Sequence, residues 1–256
     1  MLNPAWNWSL LLGSAFLGGA VNSIAGGGTL LTFPSLLSVL SPVQANATST
    51  LALLPGSMAA GWGYRREIAG ARRHLLRLWP SSLLGGIVGS LLVTRLPERV
   101  FAHLVPWLLV TASLLMLLQR PLTRWLGAHP HQAPAAGTAA AVVVFQFLVG
   151  VYGGYFGAGI GILMLSALAF MGVGEIHEMN AVKTVLGSTI NGITAVIFAF
   201  SGVIVWHYAL GMAAASMAGG YLGARVARRM KTEVVRTIVV GIGFGVAAYS
   251  WYAQSR

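Results

Sequence analysis

The chain alternates between long runs of apolar residues and short hydrophilic gaps. Ten runs stand out, and they cover residues 8–24, 29–40, 45–63, 75–93, 101–118, 138–156, 160–171, 180–200, 205–224 and 233–252. Most of these runs have the length of a helix that crosses a membrane, and all are too long for typical barrel strands. The pattern therefore predicts an all-α integral membrane protein.

Two of the runs are too short to cross a bilayer. Those at 29–40 and 160–171 would reach about 18 Å as helices, well under the roughly 30 Å of the hydrocarbon core. A glycine-rich segment stands immediately before each of them. We expect both to be half-helices, each following a glycine turn in a hairpin that enters the membrane and returns to its own side.

The glycine-rich break occurs twice along the chain. The first copy reads GGAVNSIAGGGTLLTFPSLL and the second reads GVYGGYFGAGIGILMLSALA. A polar cluster follows each copy inside another apolar run, as NATSTLALLPGS from Asn46 and NAVKTVLGSTIN from Asn180. Paired, Gly-interrupted segments in the two halves of a membrane chain are the best sequence indication of a transport site.

Composition supports the membrane assignment and narrows the chemistry. Of the 256 residues, 56% are hydrophobic and 8% are charged, against about 25% charged residues in soluble domains. The chain has no cysteine, which excludes disulfides and thiolate chemistry. It also has no aspartate and no hydrolytic or metal-binding constellation, which argues against an enzyme. We expect no cofactor and no metal.

The formal net charge of +11 does not indicate nucleic-acid binding. Eleven of the sixteen basic residues lie in three hydrophilic gaps between the apolar runs. They are Arg65, Arg66, Arg72, Arg73, Arg77, Arg120, Arg124, Arg225, Arg228, Arg229 and Lys231. Short basic loops between spans follow from the positive-inside rule, so the charge indicates orientation in a membrane.

Equivalent gaps in the two halves of the chain differ in charge. The gap at 64–77 has five arginines, whereas its partner near 201–205 has no basic residue. The gap at 94–100 has two arginines and one glutamate, whereas its partner at 225–231 has four basic residues. If basic loops stay in the cytoplasm, the two halves have opposite orientations, and both termini are extracytoplasmic. We expect two inverted-topology repeats, each a broken helical hairpin plus about three spanning helices.

A hydrophilic segment separates the two halves. Residues 119–137 contain three prolines and two arginines, which predicts a cytoplasmic linker. The first membrane repeat is then expected at 1–118 and the second at 138–256, within one membrane domain.

The glycine turns are the first candidates for ligand binding. Their backbone N–H groups lack helical partners, and the half-helix that follows adds the positive end of its dipole, so each turn suits an anionic group. The alternative is that the glycines only allow helices to pack closely. The candidates at and beside the turns are Asn22, Gly26, Gly27, Gly28, Thr29, Gly157, Gly159 and Gly161.

Lys183 is the only lysine inside a predicted span. A charge at that depth costs several kcal/mol unless it is paired or hydrated, so Lys183 is a candidate for binding the ligand. Asn180 and Thr184 lie on or near its helical face and are candidates too. One alternative is that the lysine extends to the membrane interface, and another is that it pairs with Glu178 or Glu175.

The matching polar cluster of the first half carries no charge. Asn46, Thr48 and Ser49 offer amide and hydroxyl donors, and we expect them to complete the ligand site. The alternative is a structural role, because Ser and Thr side chains in membrane helices commonly bond to the backbone.

The two duplicated motifs resemble the TauE/SafE family of sulfite exporters and related four-plus-four permeases. The resemblance rests on GGGTLLTFPSLL with NATSTLALLPGS downstream, and on GAGIGILM with HEMNAVKTVLGS downstream. It implies a permease of the bacterial inner membrane that moves sulfite, sulfoacetate or other small anions, typically outward. Two positions depart from the family's pattern, since Ile160 stands where glycine is frequent and Ser166 where proline is common.

The sequence therefore predicts a secondary transporter whose partners are a small anion and the lipid bilayer. Two alternatives stay open at this point. One is a uniport or channel-like path for another small solute, and the other is a membrane assembly subunit that transports nothing itself.

Overall fold

All regular secondary structure in the part of the chain that the structure describes is α-helical. The computed structural model describes residues 4–24, 27–63, 67–128, 136–170, 176–226 and 232–254. The helices in these ranges are α1 (Pro4–Ile24), α2 (Thr29–Leu37), α3 (Pro42–Gly63), α4 (Glu67–Arg95), α5 (Glu98–Ala128), α6 (Ala136–Tyr155), α7 (Ile160–Phe170), α8 (Ile176–Phe200), α9 (Trp206–Val226) and α10 (Thr232–Gln254). The prediction of an all-α protein is confirmed.

The two short helices begin where the sequence predicts. Helix α2 starts at Thr29 and has 9 residues, and helix α7 starts at Ile160 and has 11 residues. At about 1.5 Å per residue, neither is long enough to cross the hydrocarbon core. Helix α7 begins at Ile160 even though the related family often has glycine there, so that departure leaves the start of the helix in place.

Several long helices extend beyond the apolar runs. Helix α4 begins at Glu67, so most of the hydrophilic gap at 64–77 is helical, and the prediction of a loop there is wrong for residues 67–77. Helix α5 likewise continues to Ala128. Arginine is a good helix former, and hydropathy detects only the apolar part of a helix. The predicted basic positions at 65–66 and 228–231 lie outside the described residues.

Three helices in the described ranges are long and apolar enough to cross a membrane, judged by length and composition. They are Gly70–Arg95, Glu98–Leu118 and Glu178–Phe200. The outer surface also carries large apolar side chains, and Phe200 is 91% exposed. An apolar exterior of this kind suits contact with lipid and does not suit contact with water.

Helix packing divides most of the fold into two bundles. The first bundle contains α1, α2, α3 and α9, and the second contains α4, α6, α7 and α8. Each bundle includes one helix from the other half of the sequence, because α9 packs along α1 and α4 packs along α6. Helices α5 and α10 pack on each other, and α5 touches both bundles whereas α10 touches the first. The main direct contact between the bundles in the described ranges joins α3 and α8, and we call it the seam.

Glycines bring the paired helices together in both bundles. A Cβ atom built on Gly85 of α4 would collide with the backbone carbonyl of Phe147 on α6. A Cβ atom on Gly219 of α9 would collide with the backbone carbonyl of Phe16 on α1. Close packing therefore explains these two glycines, as small residues do at many helix contacts in membranes.

Each short helix lies within a hydrophobic core. Leu30, Phe33 and Leu36 of α2 are fully buried in one cluster, and Met164 and Leu168 of α7 are fully buried in the other. The two short helices are thus fixed by packing on their apolar faces, which holds the turns that precede them in place.

Candidate functional site

The second glycine turn joins α6 to α7 with most of its amides unpaired. Gly157 and Gly159 have φ angles of 81° and 79°, a left-handed conformation that glycine adopts without strain. The amide N–H groups of Phe156 and Gly157 donate to the Tyr152 carbonyl at 2.9 and 3.2 Å. In the part of the chain that the structure describes, the N–H groups of residues 158–161 donate to no acceptor. These N–H groups form the positive end of the α7 dipole, which favours a negatively charged group in front of the helix.

A partly buried tyrosine, Tyr152, fixes this turn through hydrogen bonds. The Tyr152 hydroxyl donates to the carbonyl of Ala158 at 2.8 Å. The carbonyl of the same residue accepts hydrogen bonds from two amides of the turn, as described above. Tyr152 therefore bonds to the turn through both its side chain and its backbone. Sequence reasoning did not select Tyr152, although it stands within the quoted glycine motif.

Lys183 lies beside the first turn of α7. Its Cδ atom is 3.2 Å from the position that a Cβ atom would take on Gly161, and its side chain is partly buried. The Lys183 ammonium donates to Oδ1 of Asn180 at 3.0 Å, and the Thr184 hydroxyl donates to the Asn180 carbonyl at 2.7 Å. Lys183 and Thr184 thus both bond to Asn180 within one stretch of α8.

The ammonium of Lys183 has no carboxylate partner among the described residues. Glu178, one of the two candidate partners, instead lies against Gly70 of α4. Glu175, the other candidate, lies outside the described residues. A partly buried cation that contacts only a neutral amide favours an anion as its further partner.

The first glycine turn has the same backbone form. Gly27 has a φ angle of 90°, and the amide of Leu30 donates to the Gly27 carbonyl at 2.9 Å. A Cβ atom on Gly28 would collide with the carbonyl of Gly18 on α1, so this glycine allows a close approach of the two backbones. Thr29 is partly buried at the start of α2, and Gly26 lies outside the described residues.

The polar residues of α3 bond inside the protein. The hydroxyls of Ser49 and Thr32 share a hydrogen bond of 2.6 Å, and both side chains are 0% exposed. The Thr48 hydroxyl accepts from the amide of Val205 at 3.2 Å. These bonds of Ser49 and Thr48 agree with the structural role that the sequence left open as an alternative.

Asn46 connects α3 to the second turn. Its Nδ2 donates to the carbonyl of Tyr155, the last residue of α6, at 3.0 Å. Its Oδ1 is buried and accepts from no group in the described ranges. Asn46 is 1% exposed, so its bond to Tyr155 supports the turn from within the protein.

The two turns lie against neighbouring residues of α5, and α2 contacts the second turn. The rings of Phe33 on α2 and Phe156 in the second turn pack edge to face with centroids 5.1 Å apart. Met116 of α5 lies against Gly27, and Leu115 lies 3.4 Å from the Cβ position of Gly159. Consecutive residues of one helix therefore support both turns.

Asn22 joins the first turn region to polar residues that the sequence analysis did not select. Its Nδ2 donates to the Ser57 hydroxyl at 3.3 Å, and the Ser188 hydroxyl donates to the Ser57 carbonyl at 3.1 Å. Ser57 and Ser188 could have been found as the residues that continue the polar faces of α3 and α8 beyond Asn46 and Thr184.

The chain is similar in sequence to a known family and to several membrane transporters. The model of the family "Sulfite exporter TauE/SafE" matches residues 11–250. A "Probable membrane transporter protein" of Haemophilus influenzae is 28% identical over 96% of this chain and 95% of its own length. The Escherichia coli "Probable membrane transporter protein YfcA" is 28% identical over 95% of this chain and 90% of its own length. The Bacillus subtilis "Probable membrane transporter protein YunE" is 24% identical over 91% of this chain and 95% of its own length.

The family match covers nearly the whole chain, and the similar proteins are named as transporters rather than enzymes. Together with the apolar helices, these findings identify a multi-pass protein of the bacterial inner membrane. The chain belongs to the sulfite exporter TauE/SafE family of membrane transporters.

Proposed function

We propose that this protein exports sulfite, sulfoacetate or a related small sulfur-containing or organic anion across the inner membrane. The observation that carries the proposal is the position of Lys183, a partly buried lysine that has no described carboxylate partner and lies against the N-terminus of α7. An ammonium and unpaired amides offer charge and hydrogen bonds to the same oxyanion.

The direct contacts are assigned chiefly to the second half. Lys183, Asn180 and Thr184 would bind the anion from α8, and the amides around Gly159 and Gly161 would bind it from the turn. Gly157 supplies the left-handed conformation that leaves those amides free.

The first half would contribute its turn and a supporting framework. Thr29 and the backbone at Gly27 and Gly28 complete the site from α2, and Asn22 borders it from α1. The set of Asn46, Thr48 and Ser49 holds the surrounding helices in register, which agrees with the internal hydrogen bonds of these residues.

We also infer that the two halves of the sequence are inverted-topology repeats, as their loop charges indicate. Reciprocal packing supports this. The approach of Gly150 on α6 to the Ser82 carbonyl on α4 has its counterpart in the approach of Gly19 on α1 to the Ser216 carbonyl on α9. Such repeats carry substrate sites at their interface and transport by alternating access.

The moving units would be the two bundles and not the two halves of the sequence. Helices α1 and α9 approach at backbone distance through glycine, and so do α4 and α6. Separating either pair would expose close-packed backbone, whereas the seam between α3 and α8 is a lesser contact. Rocking of one bundle against the other would then expose the site alternately to the two sides.

The test is a thermal-shift titration of the detergent-solubilised full-length protein with sulfite, sulfoacetate, sulfate and small carboxylates. A ligand that binds the folded state at 100 times its Kd stabilises it by about 2.7 kcal/mol, so a saturable rise in Tm is expected with at least one of these anions. Sodium and potassium salts of the same anion serve as the control. A Tm that follows the cation, or that no anion changes, would contradict the proposal.

A further inference from the structure

Helix α8 carries a polar stripe along the seam. Asn180, Thr184, Ser188 and Asn191 follow one another at intervals of four, four and three residues, which places them on one face of the helix. All four are partly buried, whereas Leu186 on another face is fully buried. The stripe continues the face of the proposed anion site well beyond the site itself.

The stripe runs alongside the second glycine turn. Lys183 lies beside Gly161, as described above, and Oδ1 of Asn191 lies 3.7 Å from the Cβ position of Gly157. The unpaired turn amides thus lie between two contact points on α8. Lys183 is near one end of the turn and Asn191 is near the other.

Both helices of the seam carry glycines with open space beside them. A Cβ atom built on Gly187 or Gly192 of α8 would meet no atom within 4 Å, and the same holds for Gly56 of α3. All three glycines are nevertheless partly buried. Described side chains therefore do not fill the space beside these glycines.

One hydrogen bond crosses the seam between α3 and α8, and a second ties its acceptor residue to α1. Ser188 belongs to the second bundle and donates to the Ser57 carbonyl of the first bundle at 3.1 Å. Asn22 of α1 donates to the hydroxyl of the same serine at 3.3 Å. We call this set of three residues the polar bridge. It joins α1, α3 and α8, and its bond between Ser188 and Ser57 must break if the bundles separate.

We propose that the anion moves along the seam, from Lys183 past Thr184 to Asn191, and that the polar bridge is the constriction that opens for its passage. The inference rests on the proposed anion transport. Polar groups four residues apart on a helix are about 6 Å apart along its axis, which is short enough to transfer a small anion between neighbouring donors. The groups beyond Lys183 are neutral, so they bind the anion weakly enough to release it.

The absence of cysteine from the chain makes the path directly testable, because every introduced thiol is the only one. The full-length variants Thr184→Cys, Ser188→Cys and Asn191→Cys are reconstituted into liposomes and treated with the anionic reagent sulfonatoethyl methanethiosulfonate. Matched controls are Val182→Cys and Leu186→Cys, at buried positions of the same helix.

The stripe cysteines are expected to react at least about tenfold faster than the buried controls, because reaction of a thiol follows its exposure to water. Equal rates at stripe and control positions would overturn the path. Serine and cysteine are nearly isosteric, so Ser188→Cys preserves the test if another variant fails to fold.

Sulfoacetate separates this inference from the proposed function. Slower labelling of Asn191→Cys with sulfoacetate present supports both. A reactive stripe that none of the anions protects supports the path and contradicts the proposed substrate class. Binding of an anion in the thermal-shift titration with an unreactive stripe contradicts the path alone.

The polar bridge has its own test. Ser188→Ala removes the donor that crosses the seam, and it should raise the labelling rate of Asn191→Cys by roughly threefold, the factor typical for one hydrogen bond between membrane helices. A Val185→Ala variant in the same Asn191→Cys background controls for a general loosening of α8. Labelling that Ser188→Ala leaves unchanged, or changes no more than Val185→Ala does, would overturn the constriction.

Discussion

The two glycine turns share a backbone and differ in chemistry. In each turn a glycine with positive φ is followed by an amide that bonds back to its carbonyl, from Leu30 to Gly27 at 2.9 Å and from Ile162 to Gly159 at 3.1 Å. The neighbouring helices then diverge. The position of α3 that aligns with Lys183 of α8 is a fully buried serine, Ser49, which bonds to α2.

This difference separates what the fold requires from what the ligand requires. The positive-φ glycine occurs in both turns, because both need a left-handed residue before a short helix. The charge occurs once, at Lys183, and there it lies beside a glycine with room for its stem. A repeat that is symmetric in its backbone therefore need not be symmetric in its binding groups.

The exchange Ser49→Lys is expected to have the largest effect. It would place an ammonium at a position that is 0% exposed and that offers only the hydroxyl of Thr32. An uncompensated buried charge typically costs roughly 3–5 kcal/mol, so the variant should lose most of its folded yield and show a strongly lowered Tm. The reverse exchange, Lys183→Ser, is the matched control and should keep its fold. A Ser49→Lys protein with the wild-type Tm would contradict the comparison.

The glycines beside the two turns should also respond differently. In Gly28→Ala the new methyl would collide with the rigid carbonyl of Gly18, which should cost about 1–3 kcal/mol of stability. In Gly161→Ala the methyl would meet only the flexible stem of Lys183 at 3.2 Å. That variant should keep its Tm and lose anion affinity. Thermal unfolding and a binding titration of both variants separate the two effects. A lowered Tm in Gly161→Ala together with lost anion affinity in Gly28→Ala would contradict the roles given to the two turns.

These contrasts also show which features of the fold and the site can be predicted from the sequence. The starts of α2 and α7 follow from run length and glycine position, and the grouping of Lys183 with Asn180 follows from helical spacing alone. Both depend on neighbours within one turn of helix. Local pattern is sufficient for such features.

Long-range partners did not follow from the sequence. Asn46 bonds to Tyr155 and Thr48 bonds to Val205, and these pairs are 109 and 157 residues apart in the chain. The pairing of α1 with α9, across the two halves, was likewise unexpected. Each is decided by which helix faces fit together, and hydropathy does not encode that choice. The glycines of α4 and α6 were the available signal for close packing.

The hydroxyl pair of the first half should contribute modestly to stability. Ser49→Ala and Thr32→Ala each remove one side of the 2.6 Å hydrogen bond, and interhelical bonds of this type are worth about 0.6 kcal/mol on average. Neither variant should change anion affinity by more than about twofold. A double-mutant cycle measured by thermal unfolding isolates the pair. A large loss of anion binding in Ser49→Ala would mean that Ser49 itself contacts the ligand.

The smallest effect is expected for Glu178→Gln. The carboxylate lies against Gly70 of α4 and not against Lys183, so its charge is not needed to hold the ammonium. Anion affinity should stay within about twofold of the wild type, as for most substitutions away from a site. A binding titration checks this, and a strong gain in affinity would show that Glu178 competes with the anion for Lys183.

The most direct test of the account is uptake of radiolabelled sulfoacetate into proteoliposomes that contain wild-type protein, Lys183→Ala or Lys183→Arg. A hydrogen bond to a charged group is worth about 1.5–3 kcal/mol, so the account predicts that Lys183→Ala lowers uptake at subsaturating substrate by at least about tenfold. Lys183→Arg, which keeps the charge, should retain part of the activity. Wild-type uptake by Lys183→Ala would contradict the central claim.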